Sequence, residues 1–239
     1  MGKQVGTLKM TGSFAGAVGY IDKQGRVQMR SKAEAYHDAN TIAQRKVRTK
    51  FLALTGTSKS LKPALIGLSR YAKDHKISLR NAFAKLNYSQ VTTTVSGNDV
   101  TSNLDATTMY LAYGELPEVS FGSPTFDNPL QVDVAWGPNS DMPGASADDL
   151  VYIVVMNPGD GKCVLSTPVK RSVGAASVTV PNAWNGEIVN VYGFAQGFSD
   201  ENDRITYEHG WLYGEAEAVE LLSKAEYSVS HFIGTGSIS

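Results

Sequence analysis

The spacing of apolar residues changes near residue 90, and this change constrains the fold more than any other feature of the chain. Residues 41–87 place apolar side chains at helical intervals, whereas from Val91 onward they come in short runs separated by Gly, Pro, Asn and Asp. Helical and strand segments that are segregated along the chain are typical of α+β proteins. We therefore expect an α+β fold in which a helical segment precedes a β-rich segment.

Three short helices are predicted in the first segment. The first begins at a capping-box pair, Thr41 and Gln44, and is expected to end at Gly56. The second runs from about residue 60 and carries Pro63 in its first turn, where proline is tolerated. The third is expected over residues 78–87.

Each predicted helix has one apolar face and one basic face. The apolar faces are expected to share a core and contain Ala43, Val47, Phe51 and Leu54; Leu61, Ala64, Leu65, Leu68, Tyr71 and Ala72; and Leu79, Ala82, Phe83 and Leu86. Because Phe51, Tyr71 and Phe83 lie on these apolar faces, the basic faces are expected to lack stacking aromatics.

A basic β-hairpin is predicted ahead of the helices. The runs Ala17–Ile21 and Arg26–Arg30 flank the turn Asp22–Gly25, in which Gly25 can adopt a positive φ. The second strand presents a basic face. The glycine-rich residues before the hairpin are expected to form an irregular arm that orders only against a partner or its own domain.

Short strands dominate the chain after residue 90. They are predicted at Val91–Val95, Thr107–Tyr113, Val119–Phe121, Leu130–Trp136, Leu150–Met156, Cys163–Ser166, Ser177–Val180, Ile188–Phe194 and Ile205–Tyr213. Their number and spacing favour an immunoglobulin-like or fibronectin-like β-sandwich over residues 117–214, with Trp136, Trp184 and Trp211 as core or edge aromatics. An intramolecular disulfide is excluded because the chain has a single cysteine.

These patterns divide the chain into five segments. They are a glycine-rich arm and hairpin (1–37), a basic three-helix region (38–90), connecting strands (91–116), the Ig-like sandwich (117–214) and a C-terminal tail or strand (215–239). In the tail, residues 217–225 are weakly helical. Residues 227–233 are a candidate last strand that adds to this sheet or to a neighbouring molecule.

The formal net charge of -1 conceals two segments of opposite sign. Residues 1–90 contain 17 Lys and Arg against 4 acids, a balance of +13, whereas residues 91–239 contain 5 against 19, a balance of -14. This asymmetry favours a basic part that meets a polyanion, or opposite ends of neighbouring copies that attract each other. Two small domains that merely differ in charge are the alternative.

Basic residues of the helices are the candidate binding residues for nucleic acid or an acidic partner. They lie away from the apolar faces and are Arg45, Lys46, Arg48, Lys50, Lys62, Arg70, Lys73 and Arg80. Lysine and arginine on such a surface neutralise phosphates and read no bases by themselves, so the predicted contact is independent of sequence.

Catalytic and metal-binding patterns are incomplete throughout the sequence. The run from Met156 to Cys163 resembles a phosphate loop but lacks its first Gly and its Ser or Thr, so a turn between strands is expected. The four histidines share no metal-ligand spacing, and the acidic run 200–203 lacks the pattern of a calcium loop. Cys163 is expected to be an inert thiol. We therefore predict no catalytic residue, no metal, no cofactor and no enzymatic activity.

Membrane and export signals are not expected. Apolar runs such as Leu150–Met156 are far shorter than a bilayer span, and no apolar region follows the charged N-terminus. The expected location is a virion or the bacterial cytoplasm.

Two sequence patterns carry a family resemblance. The glycine-rich hairpin is followed by Thr41-x-x-Gln44-x-x-x-Arg48-x-x-Phe51, and Val180-Pro181-Asn182-Ala183-Trp184-Asn185-Gly186 runs into Val191-Tyr192-Gly193-Phe194. Over nearly its whole length the chain resembles an uncharacterised Bacteroidetes family, a domain of unknown function. The resemblance implies a helical N-terminal part and an Ig-like C-terminal sandwich, and it implies no catalytic residue. Where the family has Asn-Pro before the threonine, this chain has Ala39-Asn40.

The leading functional hypothesis is a structural assembly protein, a capsid-associated or minor component of a phage virion. Its basic N-terminal part would contact nucleic acid, without sequence specificity, or acidic neighbouring subunits. Its partners would be copies of itself or other structural proteins. The alternative is an Ig-like surface or ligand-binding module whose site lies in the sandwich loops.

Overall fold

The computed structural model describes residues 12–14, 16–22, 25–32, 38–137, 139–198 and 225–238. These residues fall into two units, one that ends at Thr41 and one that begins at Ile42. The first unit consists of strands, and the second contains three α-helices and further strands. Helices and antiparallel strands therefore coexist in one chain, as the sequence predicts.

The described residues of the first unit include a three-stranded antiparallel sheet. Its strands, in sheet order, are β1 (Gly12–Phe14), β2 (Ala17–Ile21) and β3 (Val27–Ser31). Asp22 closes the turn between β2 and β3 by accepting hydrogen bonds from the backbone N–H and the Nε of Arg26 at 2.8 and 2.7 Å. The expected irregular arm is wrong for residues 12–14, because Gly16, at φ 81°, allows the chain to reverse and β1 to pair with β2.

The second unit begins with a helical layer. It consists of α1 (Ile42–Ser60), a 3₁₀ helix (Lys62–Leu68), α2 (Ser69–Asp74), α3 (Leu79–Asn87) and a 3₁₀ turn (Tyr88–Gln90). The start of α3 is as predicted, since the Ser78 side chain accepts a hydrogen bond from the backbone N–H of Asn81 at 3.3 Å. The second predicted helix is divided, and Pro63 lies at the start of its 3₁₀ part.

The predicted end of the first helix is wrong. α1 continues through Gly56 to Ser60, and the backbone N–H of Leu61 still donates to the Thr57 carbonyl at 3.0 Å. A glycine in a helix interior costs only about 1 kcal/mol. Leu54 and Leu61, both fully buried, flank the glycine and hold this part of the chain against the core.

After the helical layer, the described residues form eleven strands. They are β4 (Val91–Ser96), β5 (Asp99–Leu104), β6 (Ser120–Phe121), β7 (Gln131–Gly137), β8 (Leu150–Asn157), β9 (Lys162–Leu165), β10 (Val169–Lys170), β11 (Ala175–Thr179), β12 (Ile188–Gly197), β13 (Glu226–Tyr227) and β14 (His231–Ser237). The large sheet has the order β10-β8-β12-β13, with β9 beside β8 and β14 beside β12; the small sheet has the order β11-β7-β6; and β4 pairs with β5. All of these pairs are antiparallel.

The predicted strand at Thr107–Tyr113 is wrong. Asp105 accepts hydrogen bonds from the N–H and the hydroxyl of Thr107 at 2.8 and 2.7 Å, which starts a 3₁₀ turn instead. Farther along, the backbone N–H of Leu111 donates to the hydroxyl of Ser230 at 2.8 Å. The backbone N–H groups of Thr107, Tyr110 and Leu111 are therefore used by side chains, and other backbone donors of this segment bond to carbonyls that lie outside any strand.

Successive side chains of the central strands point to opposite faces of the large sheet and pack into two separate hydrophobic cores. In β8, Tyr152 packs in one cluster with Leu65 and Phe83 of the helical layer. Ile153, the next residue along, packs in a second cluster with Val134 of β7. Burial on both faces explains why β8 is a continuous apolar run. The helices share their core with one face of the large sheet, and the small sheet covers its other face.

Trp136 and Trp184 are buried members of the second core. Their indole Nε1 atoms donate to the Arg171 carbonyl at 2.9 Å and to the Asp160 carboxylate at 3.0 Å, respectively. Within the described C-terminal residues, β13 and β14 pair with β12, so this part of the chain completes its own sheet. Three predictions lie outside the described residues: Trp211, the strand at 205–213, and the helix at 217–225 apart from its last residue.

Candidate polyanion-binding surface

All eight basic residues singled out by the sequence lie in the helical layer. Arg45, Lys46, Arg48 and Lys50 belong to α1, Lys62 to the 3₁₀ helix, Arg70 and Lys73 to α2, and Arg80 to α3. Residues 42–90 contain 11 Lys and Arg against one acid, Asp74. The layer thus carries most of the positive charge of the N-terminal 90 residues, and the rest of its unit carries the negative charge.

Several of these cations are available to a partner. Lys46, Lys62, Lys73 and Arg80 are exposed, and none of their side chains forms an ion pair or hydrogen bond with another residue of the described ranges. Exposed cations contribute little to folding stability but attract phosphates through long-range electrostatics.

Four of the eight, Arg45, Arg48, Lys50 and Arg70, have contacts inside the protein. Arg45 donates through Nη1 to a backbone carbonyl of the β4–β5 turn. Lys50 lies over Tyr88, with its Nζ 4.9 Å from the centre of the ring. Arg70 forms ion pairs with Asp74 at 3.1 Å and with a carboxylate of β13 at 2.9 Å. Binding of these cations to an external partner would therefore compete with their contacts inside the protein.

A groove with exposed aromatic surface lies among these cations, between α1 and the end of α3. It has a volume of about 540 Å³ and is lined by Phe51, Asn81, Ala84, Lys85 and Tyr88. Phe51 is 50% exposed. The expectation that the basic surface lacks aromatics is therefore wrong. Lys85 and the other lining residues were not among the binding candidates derived from the sequence.

Other elements cover only part of the apolar face of α1, and this explains why Phe51 is exposed although a buried position was expected. Leu54 is fully buried, whereas Ala43, Val47 and Phe51, which share its predicted apolar face, are exposed. Helical periodicity identifies the residues that share a face, but it does not say how far another element extends over that face. The sequence contains one feature that could have indicated the groove, which is the aromatic residue Tyr88 directly after the third predicted helix.

A second cleft has a mixed polar and apolar lining, and its described residues provide no acid–base pair. It has a volume of about 650 Å³ and is formed by α1, the β4–β5 hairpin, the segment after β5 and residues near the end of β8. Among the described residues that line it, Asp105 alone is ionisable at neutral pH. Hydrogen bonds from Thr107 hold the pKa of its carboxyl below the ordinary value. The cleft can accept hydrogen bonds, but general acid–base catalysis requires a second positioned group.

The sequence that resembles a phosphate loop is a turn between β8 and β9, as predicted. Asn157 Oδ1 accepts a hydrogen bond from the backbone N–H of Gly159 at 2.7 Å, and Gly161 has a φ of 68°. Cys163 follows this turn, and its Sγ donates to the Ser60 carbonyl at 3.6 Å. Burial raises the pKa of the Cys163 thiol to about 11. The thiol is therefore protonated at neutral pH and a poor nucleophile.

Metal-ligand clusters and membrane-spanning helices are both absent from the described ranges. No three His, Cys, Asp or Glu side chains there gather as metal ligands, and no helix there is long and apolar enough to cross a bilayer. Three candidates from the sequence lie outside these ranges: His37, His209 and the acidic run 200–203.

The match to a protein family covers both the helical layer and the groove. The chain belongs to DUF6266, a family of unknown function, whose family model matches residues 9–205. An uncharacterised family was expected from the resemblance, and the match agrees with it at that level. No match to a curated protein was found.

Proposed function

We propose that this member of DUF6266 is a non-enzymatic structural assembly protein whose helical layer binds the phosphate backbone of nucleic acid. We place it as a capsid-associated or minor component of a phage virion of Bacteroidetes hosts. The observation that carries the proposal is the concentration of 11 Lys and Arg against one acid in residues 42–90. Its location would be the virion or the bacterial cytoplasm.

The concentration of positive charge in the helical layer favours a role of these cations in binding a partner over a role in stabilising the fold. Like charges in one layer repel each other and lower stability, and exposed cations return little to the fold. Lys46, Lys62, Lys73 and Arg80 have no carboxylate partner among the described residues. An anionic partner would relieve this repulsion.

The distribution of the cations favours contact with phosphates over reading of bases. Four exposed cations without a carboxylate partner in the described ranges, Lys46, Lys62, Lys73 and Arg80, lie on α1, the 3₁₀ helix, α2 and α3, respectively. A recognition helix instead aligns several base-reading side chains along one helix in the major groove. Cations that are spread over several segments can neutralise a polyanion without selecting its sequence.

Fluorescence anisotropy of the intact chain with a random-sequence DNA duplex tests the proposal over a salt series. We expect binding at low salt and a steep decrease in affinity as salt rises. The double variant Lys46→Gln/Lys73→Gln should weaken binding, and it should reduce the slope of log affinity against log salt by about 0.9 for each phosphate that is no longer neutralised.

The matched control is Lys162→Gln/Lys170→Gln, which changes the net charge by the same amount outside the helical layer. These two lysines pair with Asp160 at 3.4 Å and Asp148 at 2.7 Å. We expect the control to change the affinity much less than the helical double variant. Equal effects of the two double variants would contradict a localised binding surface, and absence of binding at low salt would contradict the role of nucleic acid.

An acidic protein surface is the other polyanion that fits the helical layer. It could be provided by another structural protein or by a second copy, since residues 91–239 have a balance of -14. Strong self-association combined with failure to bind DNA would favour this partner. Both partners use the same cations, so the helical double variant should weaken either interaction.

The alternative function is an immunoglobulin-like or fibronectin-like surface or ligand-binding module. The packing of β7 and β11 against one face of the large sheet supports a sandwich of this kind. The ligand of such a module would bind in the sandwich loops or in the second cleft beside Asp105, and this cleft could take a small hydrogen-bonding ligand such as a sugar. A rise in melting temperature with neutral saccharides that Asp105→Asn abolishes would support this role, and unchanged melting temperatures across such a panel would argue against it.

A further inference from the structure

The groove between α1 and α3 presents two aromatic rings at the protein surface. The ring centres of Phe51 and Tyr88 lie 5.6 Å apart, with 48° between the ring planes. Phe51 is 50% exposed, so half of its surface remains in contact with solvent. Exposed aromatic rings within a positively charged groove are the platforms on which single-stranded nucleic acids stack their bases.

Two lysines flank these rings. The Nζ of Lys50 lies 4.9 Å from the centre of the Tyr88 ring. Lys85 lines the groove from α3, and its Nζ lies 5.5 Å from the centre of the Tyr71 ring. Neither lysine forms an ion pair with another described residue. Both charges can therefore neutralise phosphates that lie next to a base in the groove.

Asn81 adds a hydrogen-bonding group to the same groove. Its backbone N–H is used by the Ser78 cap, but its side-chain amide has no partner within the described part of the chain. A carboxamide both donates and accepts hydrogen bonds, as the edges of nucleic-acid bases do.

We infer that this groove binds an unpaired base of a single-stranded nucleic acid, stacked on Phe51 and in edge contact with Tyr88, with the adjacent phosphates held by Lys50 and Lys85. The inference rests on the proposed function and adds to it a preference for single strands. Bases inside a duplex already stack on one another, so their faces are not accessible to a protein ring.

An amphipathic helix of a partner protein is the competing occupant. Such a helix inserts a row of apolar anchors, spaced three or four residues apart, into an extended apolar groove. Here the apolar lining consists of Phe51, Ala84 and Tyr88, and an amide and a lysine complete the wall. This short lining matches one flat ring with polar edges better than it matches a row of anchors.

Binding of the intact chain to three probes of equal length tests the inference. The probes are a short oligothymidylate, an abasic strand with the same number of phosphates, and a DNA duplex. We expect the oligothymidylate to bind about tenfold more tightly than the abasic strand, because stacking adds to the same phosphate contacts. The salt dependence of the two single strands should be the same.

Two substitutions separate stacking from charge. Phe51→Leu keeps an apolar side chain but removes the ring, and it should abolish the difference between the oligothymidylate and the abasic strand while leaving duplex binding unchanged. Leu52→Ala is the matched control, because Leu52 is 73% exposed on the same helix and does not line the groove. Melting temperatures of both variants show whether they fold, and Tyr88→Leu provides a second test of the ring pair.

The outcomes distinguish this inference from the proposed function. Equal affinities for the two single strands, unaffected by Phe51→Leu, would overturn stacking and leave the backbone contact in place. An equal decrease in affinity for all three probes in folded Phe51→Leu would also overturn stacking. Absence of binding to every probe at low salt would overturn both proposals. Binding of an acidic peptide that contains tryptophan would then assign the groove to a protein partner.

Discussion

Arg171 and Asp149 form a buried ion pair. Through its contacts, Arg171 connects the segments before β6 and β8 with the end of β7. Arg171 is 0% exposed, and its Nε lies 3.2 Å from the carboxylate of Asp149, which is also buried. Its Nη2 donates to the Pro117 carbonyl at 2.7 Å, and its own carbonyl accepts a hydrogen bond from the Trp136 indole. The side chain and backbone of one residue therefore link three segments that are distant in sequence.

Removing this arginine should strongly destabilise the protein. We expect Arg171→Met to lower the free energy of unfolding by about 3–5 kcal/mol, because it leaves the Asp149 carboxylate buried without its partner. Adding Asp149→Asn should recover part of this stability, since a neutral amide is less costly to bury. Urea unfolding measures both effects, with exposed Arg80→Met as the control. An unchanged unfolding midpoint for Arg171→Met would show that the ion pair is not structural.

The same pair predicts a pH dependence. Burial raises the pKa of the Asp149 carboxyl, although a hydrogen bond from Ser146 and the charge of Arg171 oppose the shift. The native state then holds the proton more tightly than the unfolded state, so the stabilising contribution of this group is complete below its unfolded pKa and is lost as pH rises through the raised value. The stability of the parent relative to Asp149→Asn should therefore fall with rising pH. A relative stability that increases with pH would contradict this assignment.

Single residues were predictable where the decisive neighbours are close in sequence. The Ser78 cap and the turn before Cys163 depend on contacts within a few residues, and both follow from local patterns. Arg171 and Phe51 depend on segments that are far away in the chain. Helical spacing placed Phe51 on an apolar face but could not show that this face is only partly covered.

At the scale of elements, strand β5 shows where the prediction of strands from the spacing of apolar residues fails. Its residues, from Asp99 to Leu104, are mostly polar and do not read as a buried strand. They nevertheless pair in register with β4, from Ser96 opposite Asp99 to Val91 opposite Leu104, across a turn that contains Gly97 at φ 58°. The hairpin lies against α1, where the Thr49 and Ser102 hydroxyls are 2.9 Å apart. Tertiary contact therefore stabilises a strand whose sequence has little strand character.

The continuous α1 helix predicts a stabilising substitution. Gly56 has no atom within 4 Å of the place where a Cβ would lie, and its backbone is helical. We expect Gly56→Ala to raise the free energy of unfolding by about 0.5–1 kcal/mol, since alanine loses less backbone entropy in a helix. Urea unfolding measures this gain.

Gly67→Ala is the contrasting variant for the same experiment. A Cβ at Gly67 would clash with Ala112 and with the Leu111 carbonyl oxygen, so this change should destabilise the protein by about 1–3 kcal/mol. If both alanine variants destabilised the protein, α1 would have to be interrupted at Gly56, as the sequence pattern alone predicts.

At the scale of the whole chain, the order of helical and strand segments was readable from the sequence, but their packing was not. The apolar run of β8 is equally compatible with one sheet packed on another and with a helix packed on a sheet. In the structure both occur, because Tyr152 faces the helical layer and Ile153 faces the small sheet. The segregation of charge along the sequence therefore places the cations in the helical layer, while the described strands and loops that follow it carry an excess of acids.

This separation predicts salt-dependent association between copies. The basic layer of one molecule can attract the acidic part of the next, and such a head-to-tail contact need not close into a ring. Sedimentation velocity should show larger species at low salt and their dissociation at high salt, because salt screens exposed charges. Lys46→Gln/Lys73→Gln should weaken the association, whereas Lys162→Gln/Lys170→Gln makes the acidic part more negative and should preserve or strengthen it. A monomer at high protein concentration, regardless of salt, would show that the helical layer is reserved for a different polyanion.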